Sequence, residues 1–218
     1  KLMNDFKPLK ALLFDFDGTL IDASNVICTC FNRTLARQGL GPLDPEEIRS
    51  RIGKPLRDMF LPFSDEADLE QLIQGYRESF HELSPGKSSL IPGVRELLTR
   101  MDNGILLGVV TSRTARGARQ ILEEFQLLEK FTVLIGIEDV TRGKPHPEGL
   151  LKALSRMNVS SDRAAFIGDT VFDIEAGRKA GTFTIGVTTG YHTREELIDA
   201  GADRVIEHLN ELRNLGLW

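Results

Sequence analysis

Short apolar runs of strand length recur along the chain, and helical segments separate them. Most of these runs are continuous rather than alternating, which is typical of strands covered on both faces. The predicted strands are 12–16, 105–110, 131–135, 164–167, 183–187 and 204–206. The predicted helices between them are 94–101, 115–125, 147–157, 173–180 and 194–200. This alternation predicts an α/β fold with a doubly wound, Rossmann-like parallel sheet.

Between the first two predicted strands the pattern changes to helix alone. Helical periodicity and breakers predict segments near 24–38, 45–51, 55–60 and 65–82. We therefore expect an inserted α-helical cap domain at 22–90, without a sheet of its own. Residues 1–21 and 91–218 then form the core domain.

Four basic residues, Arg49, Arg51, Lys54 and Arg57, lie close together in this insert. A run of charges is usually a solvated helix face. The glycine and proline on either side of Lys54 indicate instead a loop between two helices, and such loops often contact ligands. Both interpretations stay open, with Lys54 and Arg57 as candidate substrate contacts.

Composition narrows the function classes. The chain has 218 residues and a net charge of −5, which argues against a broad surface for nucleic acid or anionic membranes. No apolar run approaches the roughly 18 residues of a membrane span, and no basic-then-apolar leader is seen, so we expect a cytoplasmic protein.

Cys28 and Cys30 would point to different sides of a helix, which favours two free, packed thiols. A monomer or a homodimer is expected, and Trp218 could be packed or lie at a partner surface.

Two carboxylates, Asp15 and Asp17, end the first apolar run and precede a Gly-Thr turn. Residues at i and i+2 lie on the same side of an ideal strand. A buried carboxylate is costly unless a partner or a cation compensates it, and the carboxyl ends of parallel strands border the ligand crevice. The pair therefore predicts a cation-assisted site for an anionic ligand. An ordinary Asp-Gly turn is the alternative.

Polar residues follow three further predicted strands. Thr111 and Ser112 precede a helix, where hydroxyls and free N–H groups can bind an anion, although an ordinary helix N-cap is the alternative. Lys144 lies in a proline-stiffened loop, and Asp169 and Asp173 follow the fourth strand. Phosphoryl transfer uses such parts: carboxylate oxygens for Mg2+, a carboxylate nucleophile, a second carboxyl group for proton transfer, and cationic or hydroxyl donors.

With these residues in place, the chain resembles phosphatases of the haloacid dehalogenase superfamily from residue 14 to about residue 209. The run from Asp15 to Leu20, DFDGTL, resembles the first motif of that family. Thr111 falls on the second motif, Lys144 on the third, and Asp169 with Asp173 on the fourth. The first and fourth motifs are specific, whereas a lone Thr or Lys is not.

The resemblance implies a role for each matching residue. Asp15 would be the nucleophile and Asp17 the general acid and base, while Thr111, with Ser112 beside it, and Lys144 would bind the phosphoryl group. In dehalogenases of this superfamily the position of Asp17 is not an acid. Its presence here favours phosphate chemistry over cleavage of a carbon–halogen bond.

The resemblance also implies a metal and a cap. Mg2+ would be held by Asp15, Asp169 and the main-chain carbonyl of Asp17, and Asp173 would steady the metal site or its water. The helical insert matches a cap that closes over a small substrate and supplies specificity. Within it, the segment 53–57 resembles the substrate loop of phosphoglycolate phosphatases.

The expected function is a Mg2+-dependent phosphatase that acts on a small phosphorylated metabolite, with phosphoglycolate as the leading substrate. Ser112 and Arg113 depart from the Asn-Lys pair expected in typical phosphoglycolate phosphatases, so a pyrophosphatase or nucleotidase of the same family stays open. A phosphomutase similar to the β-phosphoglucomutases is the nearest different reaction. A phosphate-binding protein without catalysis is disfavoured by the intact acids and lysine.

Overall fold

The computed structural model describes residues 8–84, 86–101 and 104–218. The start of the predicted core domain, 1–7, lies outside these residues. In chain order the strands are β1 (Ala11–Phe14), β2 (Ile21–Asp22), β3 (Ser89–Leu90), β4 (Leu106–Val110), β5 (Val133–Ile135), β6 (Ala164–Gly168), β7 (Phe183–Val187) and β8 (Arg204–Ile206). Six of them form one parallel sheet in the order β5-β4-β1-β6-β7-β8. The predicted α/β fold is confirmed.

Helices flank this sheet and fill the insert. They are α1 (Ser24–Ala36), α2 (Pro45–Arg49), α3 (Leu56–Phe60), α4 (Glu66–Leu83), α5 (Val94–Arg100), α6 (Ala115–Glu124), α7 (Glu148–Met157), α8 (Val171–Ala180) and α9 (Arg194–Asp199). A long 3-10 helix at Leu209–Leu215, which the sequence pattern did not predict, closes the chain. No helix of the described residues is both long and apolar enough to cross a membrane.

The central strand β1 shows why the sheet is covered on both faces. Its side chains alternate, so Leu12 and Phe14 enter one apolar cluster while Ala11 and Leu13 enter another. All four are fully buried. A strand that is buried on both faces has a continuously apolar sequence, and this pattern predicted β1.

The insert consists of α1 to α4, which pack mainly on one another. Phe31 of α1 stacks on Phe60 of α3 with ring centroids 4.2 Å apart, and Tyr76 of α4 meets Phe60 edge-on. The expectation that the insert has no sheet was wrong at its base, because β2 and β3 pair antiparallel where the chain leaves and re-enters the core. We keep 22–90 as the proposed limits of the cap.

Two smaller expectations concern cysteine and tryptophan. Cys28 and Cys30 are both free and buried on α1, as predicted. Trp218 is partly buried against the larger apolar cluster. Of the two alternatives for Trp218, packing within the single chain is therefore the one that the structure shows.

Candidate active site

The first carboxylate, Asp15, directly follows β1. The strand ends at Phe14, two residues earlier than predicted, and the Asp15 N–H still donates to the Ile167 carbonyl at 2.8 Å. The chain then turns at Gly18, whose φ of +88° favours glycine. Asp17 thus lies in the turn rather than in a strand, so the expectation that both acids share one side of a regular strand was wrong.

Lys144 lies between two carboxylates. Its Nζ is 2.6 Å from Asp15 Oδ1 and 2.6 Å from Asp173 Oδ1, and all three side chains are buried. Burial by itself lowers the pKa of Lys144, but the two carboxylates outweigh it and the pKa is raised. A lysine fixed in this way stays charged and immobile, unlike a lysine on the solvated surface.

Asp169 lies in a close-fitting pocket of backbone. Its carboxylate accepts from Thr19 Oγ1 at 2.8 Å and from the Tyr191 N–H at 3.1 Å. A Cβ atom at Gly18 would lie 2.3 Å from Asp169 Oδ2, and one at Gly190 would lie 1.9 Å from it. Only glycine permits this approach at the two positions. Motif reasoning did not assign Thr19, Gly190 or Tyr191, and the glycines were the available signal.

Asp173 lies in the first turn of α8 and is fully buried. Its Oδ2 accepts from the N–H and the hydroxyl of Thr170 at 3.0 and 2.6 Å, while its Oδ1 faces Lys144. The Thr170 hydroxyl also accepts from the Asp173 N–H, which completes a capping box. Both Asp173 oxygens therefore accept hydrogen bonds from protein groups. That Asp173 steadies the metal site stays a prediction.

Three carboxylates meet at this edge of the sheet. Asp15, Asp169 and Asp173 each offer an oxygen, and these atoms lie within 4.8 Å of one another. Burial, followed by repulsion from Asp173, raises the pKa of Asp15 to about 7. Burial, followed by repulsion from Asp15, holds the pKa of Asp169 well above its usual range. Oxygen donors and an excess of buried negative charge fit a hard divalent cation.

The hydroxyl residues follow β4. Thr111 is buried, its N–H donates to the Ile135 carbonyl, and its Oγ1 accepts from the Arg113 N–H at 3.1 Å. The N-cap alternative for Thr111 was wrong, because Thr114 caps α6 by accepting from the Gly117 N–H. The buried Ser112 hydroxyl has no hydrogen-bond partner among the described residues. Buried polar atoms are usually hydrogen-bonded, so this unpartnered hydroxyl is a candidate donor to a ligand oxygen.

A cavity of about 660 Å³ lies between these residues and the helical insert. Asp15, Asp17, Thr111, Ser112 and Lys144 line it on the core side. Its lining on the insert side includes Ile52, Lys54, Arg57, Met59, Ile73, Tyr76 and Phe80. The predicted site residues therefore share one cavity or border the carboxylate cluster beneath it.

The basic residues of the insert divide into two groups. Arg49 pairs with Glu46 on α2, so the solvated-face alternative describes this residue. Arg51 pairs with Glu47 but is only 21% exposed and lies over the Phe63 ring, so that alternative does not describe it. Arg57 lines the cavity but is also bound by Glu66. Lys54 is partly buried at the cavity and has no ion-pair partner in the described part of the chain.

Arg113 is a further cation at the site, and its place in the sequence indicated only a departure from the Asn-Lys pair of typical phosphoglycolate phosphatases. Arg113, which follows Ser112, donates to both carboxylate oxygens of Asp17, with Nε 3.0 Å from Oδ2. Its guanidinium also lies over the Phe80 ring of α4, 4.2 Å from the centroid. Neither contact could be read from local sequence, because the partners are distant along the chain.

Comparisons with known proteins agree with this geometry. The sequence model for haloacid dehalogenase-like hydrolases matches residues 12–187. An N-acetylmuramic acid 6-phosphate phosphatase from Pseudomonas aeruginosa is 36% identical over 210 residues, covering 94% of this chain and 93% of its own. The pyrophosphatase PpaX of Bacillus cereus is 33% identical over 208 residues, covering 94% of each chain.

Similarity extends to solved structures. A haloacid dehalogenase-like hydrolase from Bacteroides fragilis superposes with a TM-score of 0.90 at 33% identity, covering 94% of this chain and 99% of that one. The matches span both the sheet and the helical insert, and the relatives named above are phosphatases. The chain therefore belongs to the haloacid dehalogenase-like hydrolase family, as an enzyme of its phosphatase branch.

Proposed function

We propose that this protein is a Mg2+-dependent phosphatase that hydrolyses a phosphomonoester through an aspartyl-phosphate on Asp15. The observation that carries the proposal is the position of Asp15, which lies on the core side of the cavity between Lys144 and Asp169. One Asp15 oxygen is bound by Lys144. The other is the candidate nucleophile.

In the first step, an Asp15 oxygen attacks phosphorus and forms an acyl-phosphate bond while the bond from phosphorus to the alkoxide oxygen breaks. Asp17, protonated at that moment, gives its proton to the leaving oxygen. In the second step water attacks phosphorus, Asp17 takes a proton from that water, and the bond from phosphorus to the Asp15 oxygen breaks, which releases phosphate and the Asp15 carboxylate. Asp17 lines the same cavity as Asp15, which supports its role as the group that exchanges a proton with the substrate.

Charge on the transferring group is met by donors that are already in place. Lys144 is held by Asp15 and Asp173, and the Ser112 hydroxyl is free to donate. Preorganised donors of this kind stabilise developing charge without having to reorganise. Asp15 and Asp169, with the main-chain carbonyl of Asp17 as predicted, would hold the cation. The cation would neutralise phosphoryl oxygens and the crowded carboxylates.

The volume of the cavity indicates the size of the substrate. This volume, about 660 Å³, falls within the range of sites that enclose drug-sized ligands. Phosphoglycolate, a two-carbon acid phosphate, would leave most of that volume to water. We therefore favour a sugar-sized phosphomonoester, of the kind named for the Pseudomonas relative, over phosphoglycolate. Pyrophosphate, named for the Bacillus relative, is the second candidate.

The test is phosphate release from a panel that contains N-acetylmuramic acid 6-phosphate, other sugar phosphates, phosphoglycolate, pyrophosphate, nucleotides and an aryl phosphate, each with Mg2+. Asp15→Asn should lower kcat by about 10⁴-fold or more, as expected for loss of a nucleophile. Asp199→Asn, an exposed matched change on α9, should leave kcat unchanged. Absence of Mg2+-dependent release from every compound would contradict the proposal. Interconversion of sugar phosphates without net release would instead support a mutase.

A further inference from the structure

Arg113 connects the core to the helical insert at the catalytic cavity. Nε donates to Asp17 Oδ2 at 3.0 Å, and Nη2 donates to Asp17 Oδ1. The guanidinium carbon lies 4.2 Å from the ring centroid of Phe80 and 5.7 Å from that of Phe16. A single side chain thus contacts the turn after β1 and a helix of the insert.

The pair is largely removed from water. The Arg113 side chain is 9% exposed and the Asp17 side chain is 17% exposed. Desolvating two charges is costly, so a buried ion pair is poor evidence for a purely stabilising role. Its geometry is more informative, because the planar fork of arginine fixes the plane of a carboxylate that it binds through two parallel hydrogen bonds.

Phe80 extends this contact into the interior of the insert. It stacks near Tyr76 at 5.9 Å, Tyr76 meets Phe60 at 5.9 Å, and Phe60 stacks on Phe31 at 4.2 Å. The ring over Arg113 is therefore fixed by the aromatic packing of the cap. Movement of the cap relative to the sheet would move Phe80 away from the guanidinium and loosen the constraint on it.

We propose that Arg113 is a positioning residue that orients the Asp17 carboxylate and, through Phe80, makes this orientation depend on closure of the cap. The proposal rests on the acid and base role of Asp17 in the proposed function. Both Asp17 oxygens accept from Arg113 in the structure, so one of these two hydrogen bonds must be released for Asp17 to face the leaving group. Proton transfer to that group is then efficient only when the cap is closed.

The choice of leaving group isolates this role. An aryl phosphate releases an oxyanion that is stable without a proton, whereas an alkyl phosphate requires the proton of Asp17. Since kcat/KM reports the steps up to release of the leaving group, the ratio of kcat/KM for the alkyl compound to that for the aryl compound measures acid catalysis. A residue with only a structural or binding role would change both values together.

Arg113→Lys keeps the charge but loses the fork and the planar stacking. It should lower the alkyl-to-aryl ratio by about tenfold, which is modest beside the cost of misplacing a catalytic group by about 1 Å. Phe80→Leu should lower the ratio in the same direction by less, and the double variant should fall short of the product of the two effects. Arg119→Lys, the same change at an exposed position of α6, should leave the ratio unchanged.

Asp17→Asn separates failure of this proposal from failure of the proposed function. If Asp17→Asn leaves the ratio unchanged, the acid role of Asp17 is wrong. If Asp17→Asn lowers the ratio but Arg113→Lys lowers both values equally or neither, Arg113 does not position Asp17, while the proposed function stands. Should Arg113→Lys fail to fold by circular dichroism, Phe80→Leu carries the same test, and an unchanged ratio there would overturn the coupling to the cap.

Discussion

The two sides of the catalytic cavity are built differently. On the core side the charged residues are held by several partners from other elements, as Asp169 is by Thr19 and Tyr191 and Lys144 is by its two carboxylates. On the cap side the charged groups are looser, and Arg57 is bound only by exposed glutamates. A rigid set of groups suits chemistry that is common to many relatives, whereas an adaptable surface suits the choice of substrate.

After loss of the nucleophile Asp15, the largest expected effect is on the core side, at Asp169. In the presence of Mg2+, Asp169→Asn should lower kcat by about 100-fold or more, because a ligand that supports the metal is lost. Mg2+ at about 100 times its Kd should stabilise the wild-type protein by roughly 2.7 kcal/mol, and the variant should lose this gain. Thermal unfolding with and without Mg2+ measures it, with Asp199→Asn as the matched control. If Mg2+ raised the melting temperature of Asp169→Asn and of Asp199→Asn equally, Asp169 would be excluded as a metal ligand.

The same variant has an opposite effect in the protein stripped of metal. The folded-state pKa of Asp169 is raised by burial and then by Asp15, so its contribution to stability is complete below pH 3.8 and is lost as pH rises through the raised value. Asp169→Asn has no such loss. The free energy of unfolding of the variant should therefore rise relative to that of the wild type as the pH increases from 4 towards 8. Urea denaturation in the presence of a chelator measures both values. A constant difference would contradict this sign.

Whether the sequence could predict a feature of this site depends on how far apart along the chain the contacting residues lie. The carboxyl ends of parallel strands meet at one edge, so polar residues after four apolar runs could be placed together from pattern alone. Thr19 and Asp169 are 150 residues apart, and only the folded chain shows that the hydroxyl binds the carboxylate. The pairing of Arg113 with Asp17 is of the same kind.

Short elements were the other source of error. The β2 and β3 strands have two residues each, too few for a periodic signal, and their pairing depends on the two ends of the insert meeting. The helix start after β4 was predicted correctly, but two threonines lie near it. Thr114 is the cap and Thr111 is left for the cavity, a distinction that hydrogen bonding makes and composition does not.

A third prediction tests whether the cap loosens separately from the core. Phe60 is fully buried and stacks on Phe31, so Phe60→Ala should cost about 3–5 kcal/mol of local stability. Because the cap helices pack mainly on one another, amides of α1 and α4 should lose hydrogen-exchange protection before those of β1 and β6. Equal loss in all four elements would mean that cap and core unfold as one unit.

The smallest expected effect distinguishes two cations on the cap side of the cavity, Lys54 and Arg57. Lys54 lines the cavity without an ion-pair partner among the described residues, whereas Arg57 is already bound by Glu66 and lies 4.0 Å from Glu70. Lys54→Gln should therefore raise KM for the preferred substrate by about fivefold, and Arg57→Gln by less than about twofold, since an exposed, paired charge contributes little. Neither change should alter kcat, because the reacting groups lie on the core side. Steady-state kinetics at low salt measures both values. A loss of kcat in either variant would place part of the chemistry on the cap and remove the division between the two sides of the cavity.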